Sequence, residues 1–480
     1  MTAVASAEPQ GVLDRIPASQ GRRITVPYTG PVAAQTSGYI YLNRCTGGCT
    51  IMGGADDARA MSSSIIASGP HVVTEFQNDA GQTGAAADDA WHALLTCVQE
   101  VYSPFAVTVA DVPPSNGVSY TMGIAAGNPS DVGLPNDILG VGLGTCAPLD
   151  NVISFSFSNH EGGSGLTRMY DACWTIAQET AHNFGLEHEY QFTDGNSACS
   201  DPMTYREDCG GEKFFRNKPA ACGEYAVRPC NCGGVQNSVG KLTNALGAGM
   251  SIIPAPTSTI LTPAAGAVSA GFVVQAAAGS RRGVDHVELW LNGHNWLTVA
   301  GAAFGKDGQP DPSNYSLTAP ANVPDGVIDV VAKAYDDLGL ETDSATVTVM
   351  KGAACASAAS CLTGQNCDAG KCFWDPPTGQ LGDVCTYNEF CVTGMCQDSD
   401  IGQYCTQSCV LNSDGACPAM FDCIGTSDTQ GVCLPRGKAS GGCCSVGAES
   451  PRALWAHVGL GLFVFGLVIR RRRRRGQEQE

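Results

Sequence analysis

Between Gln178 and Tyr205 the chain sets two histidines, a carboxylate and an amide at spacings suited to holding a metal ion. Gln178 and His182 are four apart, so on a helix of 3.6 residues per turn they project from one face and can reach one ion. Glu179 sits beside that face, where a carboxylate can hold and deprotonate a water. Gly185 permits the left-handed turn that stops a helix, and the chain beyond it brings His188 back to the same point. Downstream, Asp201-Pro202-Met203-Thr204-Tyr205 reads as a tight turn, with Met203 beneath the site and Tyr205 within reach of a metal or an oxyanion. The chemistry such a set supports is metal-assisted hydrolysis.

The run E-x-x-H-x-x-G-x-x-H-E, followed by D-P-M-x-Y, resembles the metzincin zinc metallopeptidases, with Gln178 where that family has its first histidine. The resemblance is specific from Gln178 to Tyr205. It implies that Glu179 is the general base, that His182 and His188 are zinc ligands, and that Gly185 is the turn glycine. It makes Met203 the methionine of the Met-turn and Tyr205 the tyrosine that astacin-like and serralysin-like members place near zinc. Glu189 follows the last ligand directly, as in the astacin branch, although the gap from His188 to Met203 is short for an astacin. A Zn2+ cofactor, a protein or peptide substrate and endopeptidase activity follow as expectations.

Gln178 leaves three outcomes open. Its amide oxygen binds zinc as a weaker ligand than imidazole. Alternatively His160, at the end of the strand before the helix, completes the set. Or zinc is lost, leaving a catalytically inactive metzincin-like scaffold that acts as a surface binding or adhesion protein.

The elements that must position these residues are legible as short alternating runs. Strands are expected over 39–42, 71–76, 105–112, 120–125 and 152–158, with substrate laid along the last by strand addition. Trp91, Leu94, Leu95 and Val98 recur at helical spacing within 87–101, and the motif helix is expected over 171–184. Beyond Pro254 cysteine vanishes and alternating runs over 271–275, 286–291, 315–318, 327–334 and 345–349 suit an immunoglobulin-like sandwich, with His286 and His294 as surface side chains. In 355–433, Cys361, Cys367 and Cys372 repeat the spacing of Cys385, Cys391 and Cys396, which suggests a duplicated disulfide-stapled unit.

The 480 residues are too many for one ordinary domain. The expected organisation is multidomain: an N-terminal segment over 1–37, an α+β metallopeptidase-like domain over 38–250, an all-β immunoglobulin-like sandwich over 254–351, a cysteine-rich repeat module over 355–433 and a sorting and anchor signal over 441–475. Lys and Arg number 27 against 46 Asp and Glu, a net charge of −19, which argues against nucleic acid as a partner. The 24 cysteines point to an oxidising, extracytoplasmic compartment. Ala5-Ser6-Ala7 matches the end of a signal peptide, so 1–7 reads as a remnant of one. The apolar run over 453–469 is long enough for a short transmembrane helix, and Arg470 to Arg475 mark its cytoplasmic side. With Gly442-Cys443-Cys444 upstream, this order resembles the MYXO-CTERM sorting signal of myxobacterial surface proteins. That resemblance implies an anchor at Cys443 or Cys444 and a membrane partner through the C-terminal segment.

Overall fold

The structure is a computed structural model that describes residues 21–30, 37–115, 117–209, 211–301, 312–399, 402–411, 416–427 and 430–436. The expected signal remnant over 1–7, the anchor cysteines Cys443 and Cys444, the apolar run over 453–469 and Arg470 to Arg475 lie outside them. Among the described residues no helix is long and apolar enough to cross a membrane. The described chain is mostly β, with few helices and a disulfide-rich region. It divides into two compact units, Met1–Phe373 and Trp374–Glu480.

The first unit begins with nine strands: β1 (Arg22–Pro27), β2 (Tyr39–Asn43), β3 (Cys49–Gly53), β4 (Ser62–Ser63), β5 (Gly69–Val73), β6 (Thr108–Ala110), β7 (Thr121–Ala125), β8 (Ile138–Gly144) and β9 (Ile153–Ser156). Six of them form one sheet in the order β1-β8-β9-β7-β2-β6, while β3 to β5 make a small separate sheet. β9, β7, β2 and β6 run parallel; β8 is antiparallel to β9, and β1 is parallel to β8. β9 is therefore an inner strand, buried on both faces, and its serines bond inward: Ser154 Oγ donates to the Glu179 carbonyl at 2.9 Å. This corrects the expectation of substrate along 152–158, because β7 and β8 already take both of its edges. The edge position on this side belongs to β1, which covers β8.

Two helices lie on this sheet, α1 (Asp88–Tyr102) and α2 (Gly165–His182). Asp88 and Asp89 in the first turn of α1 suit the positive end of its dipole. Trp91, Leu94 and Val98 are fully buried in the main core. α2 begins six residues earlier than expected and buries every residue from Thr175 to His182. The Cys97–Cys173 disulfide ties the two helices together. After α2 come β10 (Glu189–Phe192), β11 (Ala220–Cys222) and α3 (Ser238–Leu246), which close the wall beyond His188.

The next region is a two-sheet sandwich. β12 (Thr257–Thr262), β13 (Gly266–Val268), β14 (Val273–Gly279), β15 (His286–Leu291), β16 (His294–Ala300), β17 (Ser313–Thr318), β18 (Gly326–Tyr335), β19 (Glu341–Asp343) and β20 (Val347–Lys351) follow in turn. β12-β14-β17 form one sheet and β13-β20-β18-β15-β16 the other, with β19 on β18. Val274 and Leu317 from the first meet Leu289 and Val330 from the second in one core. Asn292 and Gly293, both at positive φ, make the tight β15–β16 turn that an Asn-Gly pair favours. The sandwich is bolted to the preceding region. Arg282, fully buried, donates from Nε and Nη2 to Asp337 at 2.9 Å each and from Nη2 to the Phe215 carbonyl at 2.7 Å. Arg216 adds its charge to Asp337 at 3.7 Å.

Eleven disulfides join all the described cysteines. In the cysteine-rich region the pairs are 355–367 and 361–372, then 385–396 and 391–405, then 409–423 and 417–433. Each set of four pairs first to third and second to fourth. The repeat is thus threefold in connectivity, and its frame starts at Cys355. The spacing match of 361/367/372 with 385/391/396 was out of frame by one cysteine.

Candidate active site

Every polar residue that the sequence singles out on the motif helix is buried. Thr175, Glu179 and His182 fall within two turns of α2 and touch β8 or β1, and Gln178 is buried one turn before His182. The helix stops as expected, with Gly185 at φ +90°. A Cβ there would stand 3.0 Å from the Cys146 carbonyl oxygen. The turn returns His188 so that its Nε2 lies 3.0 Å from His182 Nε2.

The other nitrogen of each ring decides what these two can do. His182 Nδ1 donates to the Leu186 carbonyl at 2.8 Å, and His188 Nδ1 donates to Glu224 Oε1 at 3.2 Å. Each Nδ1 therefore carries a proton, and the two Nε2 atoms face each other. Burial, then the neighbouring His188, pushes His182 down to about 3, so it stays neutral. Two acceptor nitrogens 3.0 Å apart repel unless a proton or a cation lies between them. Thr25 Oγ1 approaches His182 Nε2 at the same 3.0 Å.

Around this pair the polar groups are buried and incompletely matched. Both amide atoms of Gln178 and both carboxylate oxygens of Glu179 are buried without a hydrogen-bond partner. Such groups cost about 1–3 kcal/mol each when left unmatched. Burial holds Glu179 well above the usual carboxylate range, with Arg23 opposing and Glu161 reinforcing the shift. Its side chain fits because β8 offers glycines: a Cβ at Gly140 would stand 2.6 Å from Glu179 Oε1, and one at Gly142 2.5 Å from the Glu179 carbonyl oxygen.

The remaining motif residues support the floor. Asp201 Oδ1 accepts from the Met203 amide at 2.8 Å, and its Oδ2 accepts from the Arg216 amide at 2.7 Å. Met203 is fully buried, and the Cys199–Cys209 disulfide closes the loop that holds it. The Tyr205 ring sits 4.7 Å from His188; burial, then the Glu179 charge, pushes its phenol well above 10, so it remains a neutral donor. Glu189 turns away from the histidines and accepts from Gln236 Nε2 at 3.0 Å and Ser238 Oγ at 2.9 Å. Burial and Asp201 raise its pKa, which suits a structural role.

His160 is exposed and does not join the site. Its neighbour Glu161 is buried instead, and accepts from Thr175 Oγ1 at 2.8 Å. Arg23 Nε donates to that same Thr175 hydroxyl at 2.8 Å. Sequence reasoning missed Arg23, Thr25, Glu161 and Glu224. The only signal for the first two was the alternation of R-R-I-T-V-P, which the strand uses to send Arg23 and Thr25 to one face.

Glu161 carries a pH prediction. Burial pushes it up to about 7 against the pull of Arg23 and the Thr175 hydrogen bond. The folded chain then keeps a proton that the unfolded chain releases near 4.5, so stability falls as pH rises across that window. Its share of the slope is at most about 1.4 kcal/mol per pH unit. Glu161→Gln, which keeps a partner for Thr175, should flatten the fall of thermal stability between pH 5 and 8. An unchanged slope would mean the carboxyl is ionised throughout.

Cysteine groups also bring three potential ligand atoms within 4.8 Å of one another, at Cys355/Cys361/Cys372, Cys385/Cys391/Cys396, Cys409/Cys417/Cys433 and Glu187/Cys222/Cys230. Every one of those sulfurs is in a disulfide and is not a thiolate.

No family model matches the chain. No curated protein matches it either. Among solved structures, it matches the fibronectin(III)-like modules of CbhA from Clostridium thermocellum at 21% identity over 20% of this chain and 94% of that one, with a TM-score of 0.15. A lytic polysaccharide monooxygenase from Jonesia denitrificans matches at 13% over 19% and 60%, with 0.15. The SrpA adhesin from Streptococcus sanguinis matches at 20% over 21% and 58%, with 0.16. This chain spans about three-fifths of the last two. Scores this low bear on neither fold nor function.

Proposed function

We propose that this chain is an extracytoplasmic zinc-dependent endopeptidase of the metzincin kind, with His182, His188 and Gln178 as the metal-holding residues. The observation behind this reading is the facing pair of imidazole nitrogens, each with its proton committed elsewhere. Two ligands on a tetrahedral ion with bonds of ~2.0–2.1 Å lie roughly 3.3 Å apart, close to the 3.0 Å between these atoms. The unpartnered Gln178 amide, one turn before His182, supplies a third, weaker donor. Zinc held there would supply a Lewis acid and acidify a water.

The chain's own residues do the rest. Glu179 takes a proton from the attacking water and passes it to the leaving amine. The Tyr205 phenol donates to the oxyanion. Leu186 and Glu224 fix the two rings, as outer partners of metal ligands commonly do. The disulfides suit an oxidising compartment, and the C-terminal resemblance supplies the proposed anchor at Cys443 or Cys444 on a cell surface.

Gln178→His should raise zinc affinity, measured by competition with a chelator. Losing even an outer partner costs about 10- to 100-fold in metal affinity, so gaining an imidazole ligand should bring at least about tenfold. Unchanged affinity would mean that position 178 does not contribute. The second reading, an inactive scaffold with a surface binding or adhesion role, is favoured by one observation: β1 covers the edge of β8 beside the site.

A further inference from the structure

α1 and the first turns of α2 leave a gap between them near the end of β9. Ala90 and Ala93, three apart on one face of α1, and Ala172 on α2 line it with little side-chain volume. The Cys97–Cys173 disulfide, one turn beyond Ala93 and next to Ala172, holds the two helices at their spacing. The result is a cavity of about 410 Å³, within the roughly 300–1,000 Å³ of small-molecule sites. Phe76 and Leu94 are buried in its wall, and Leu166, 67% exposed, stands at its mouth.

One polar atom in this wall is unmatched. Ser158 is 1% exposed, lines the cavity, and its Oγ has no hydrogen-bond partner. Its backbone is already committed, the amide to the Ser156 carbonyl at 2.9 Å and the carbonyl to Arg168 Nη2 at 2.6 Å. The two charges beside the cavity are also committed, to each other. Arg168 Nη1 donates to Asp79 Oδ1 at 3.1 Å, and Asp79 Oδ2 accepts from the Gly165 amide. A charged guest would therefore lose its water and find no counter-charge.

We propose that this cavity binds a small, uncharged aromatic molecule with one hydroxyl, a phenol, whose hydroxyl pairs with Ser158 Oγ. The Phe76 ring and the Met169 thioether favour an aromatic guest over an alkyl one. A serine hydroxyl both donates and accepts, and a phenol answers it in either sense. The guest would also cover Leu166, the large apolar side chain left exposed beside the opening. Met169 precedes His182 by 13 residues of α2, about 20 Å along the helix. The cavity is thus separate from the histidine pair, and its use is independent of the peptidase reading.

The test titrates 4-ethylphenol, ethylbenzene and 4-ethylbenzoate into the full chain at neutral pH, followed by calorimetry. The parent should bind 4-ethylphenol saturably at one site and 4-ethylbenzoate at least about tenfold more weakly. Ser158→Ala should shift the affinity ratio by about tenfold from 4-ethylphenol toward ethylbenzene, because it strands the buried phenol hydroxyl. Ala93→Phe and Ala90→Met fill the cavity from α1 and should each abolish binding of both neutral probes. Using both keeps the result readable should one of them fail to fold, and melting curves identify that case. A parent that binds no phenol, a ratio unchanged in Ser158→Ala, benzoate binding equal to phenol binding, or undiminished binding in a folded filled variant would overturn the proposal.

Discussion

Glu179→Gln should leave the metal content of the chain unchanged and cut peptide hydrolysis by about 10²- to 10⁴-fold, the usual cost of removing a general base. Glutamine keeps the volume of a side chain pressed between α2 and the glycines of β8, so the helix should hold its place. What it lacks is the ability to take a proton. The comparison that gives the result meaning is His182→Ala, which should lose metal and hydrolysis together. Both are measured against the parent chain under the same conditions. Equal rates in Glu179→Gln and the parent would remove Glu179 from the mechanism.

The second large effect lies away from the histidines. Asp337→Ala should cost about 3–5 kcal/mol of stability by denaturant unfolding, because it strands two buried guanidinium groups. Burial alone would raise the Asp337 pKa, but the charges of Arg282 and Arg216 hold it below the usual carboxylate value. Its contribution is therefore present at neutral pH and lost as pH falls through the folded pKa. The same carboxylate accepts from the Asn217 amide at 2.9 Å, next to Arg216, whose amide bonds to the Asp201 that fixes Met203. The sandwich region thus braces the floor of the site and is more than a spacer. A loss under about 1 kcal/mol, the worth of a surface pair, would show that water reaches these groups.

The parts of the site that share a local spacing were legible in the sequence. Gln178, Glu179 and His182 follow from helical periodicity, and Gly185 from the need to stop the helix at positive φ. Ala87 to Val101 gave its helix within one residue at each end. What could not be read depended on contacts distant in the chain. β8 was missed because I-L-G-V-G-L-G trades side chains for glycine, which erases the alternation while making room for Glu179. β1 was missed because six residues with two arginines look like a solvated leader until β8 pairs with them. His160 was chosen on residue type alone; the turn at the end of β9 leaves it exposed and faces Glu161 inward. In the cysteine-rich region, spacing suggested a duplication, whereas only pairing reveals three units.

The most direct test of the central claim is metal analysis of the exported chain purified without added zinc, alongside His182→Ala and His188→Ala. The facing imidazole nitrogens at 3.0 Å predict close to one zinc per parent chain and almost none in either variant. A parent without metal, or one whose zinc survives both substitutions, would contradict it.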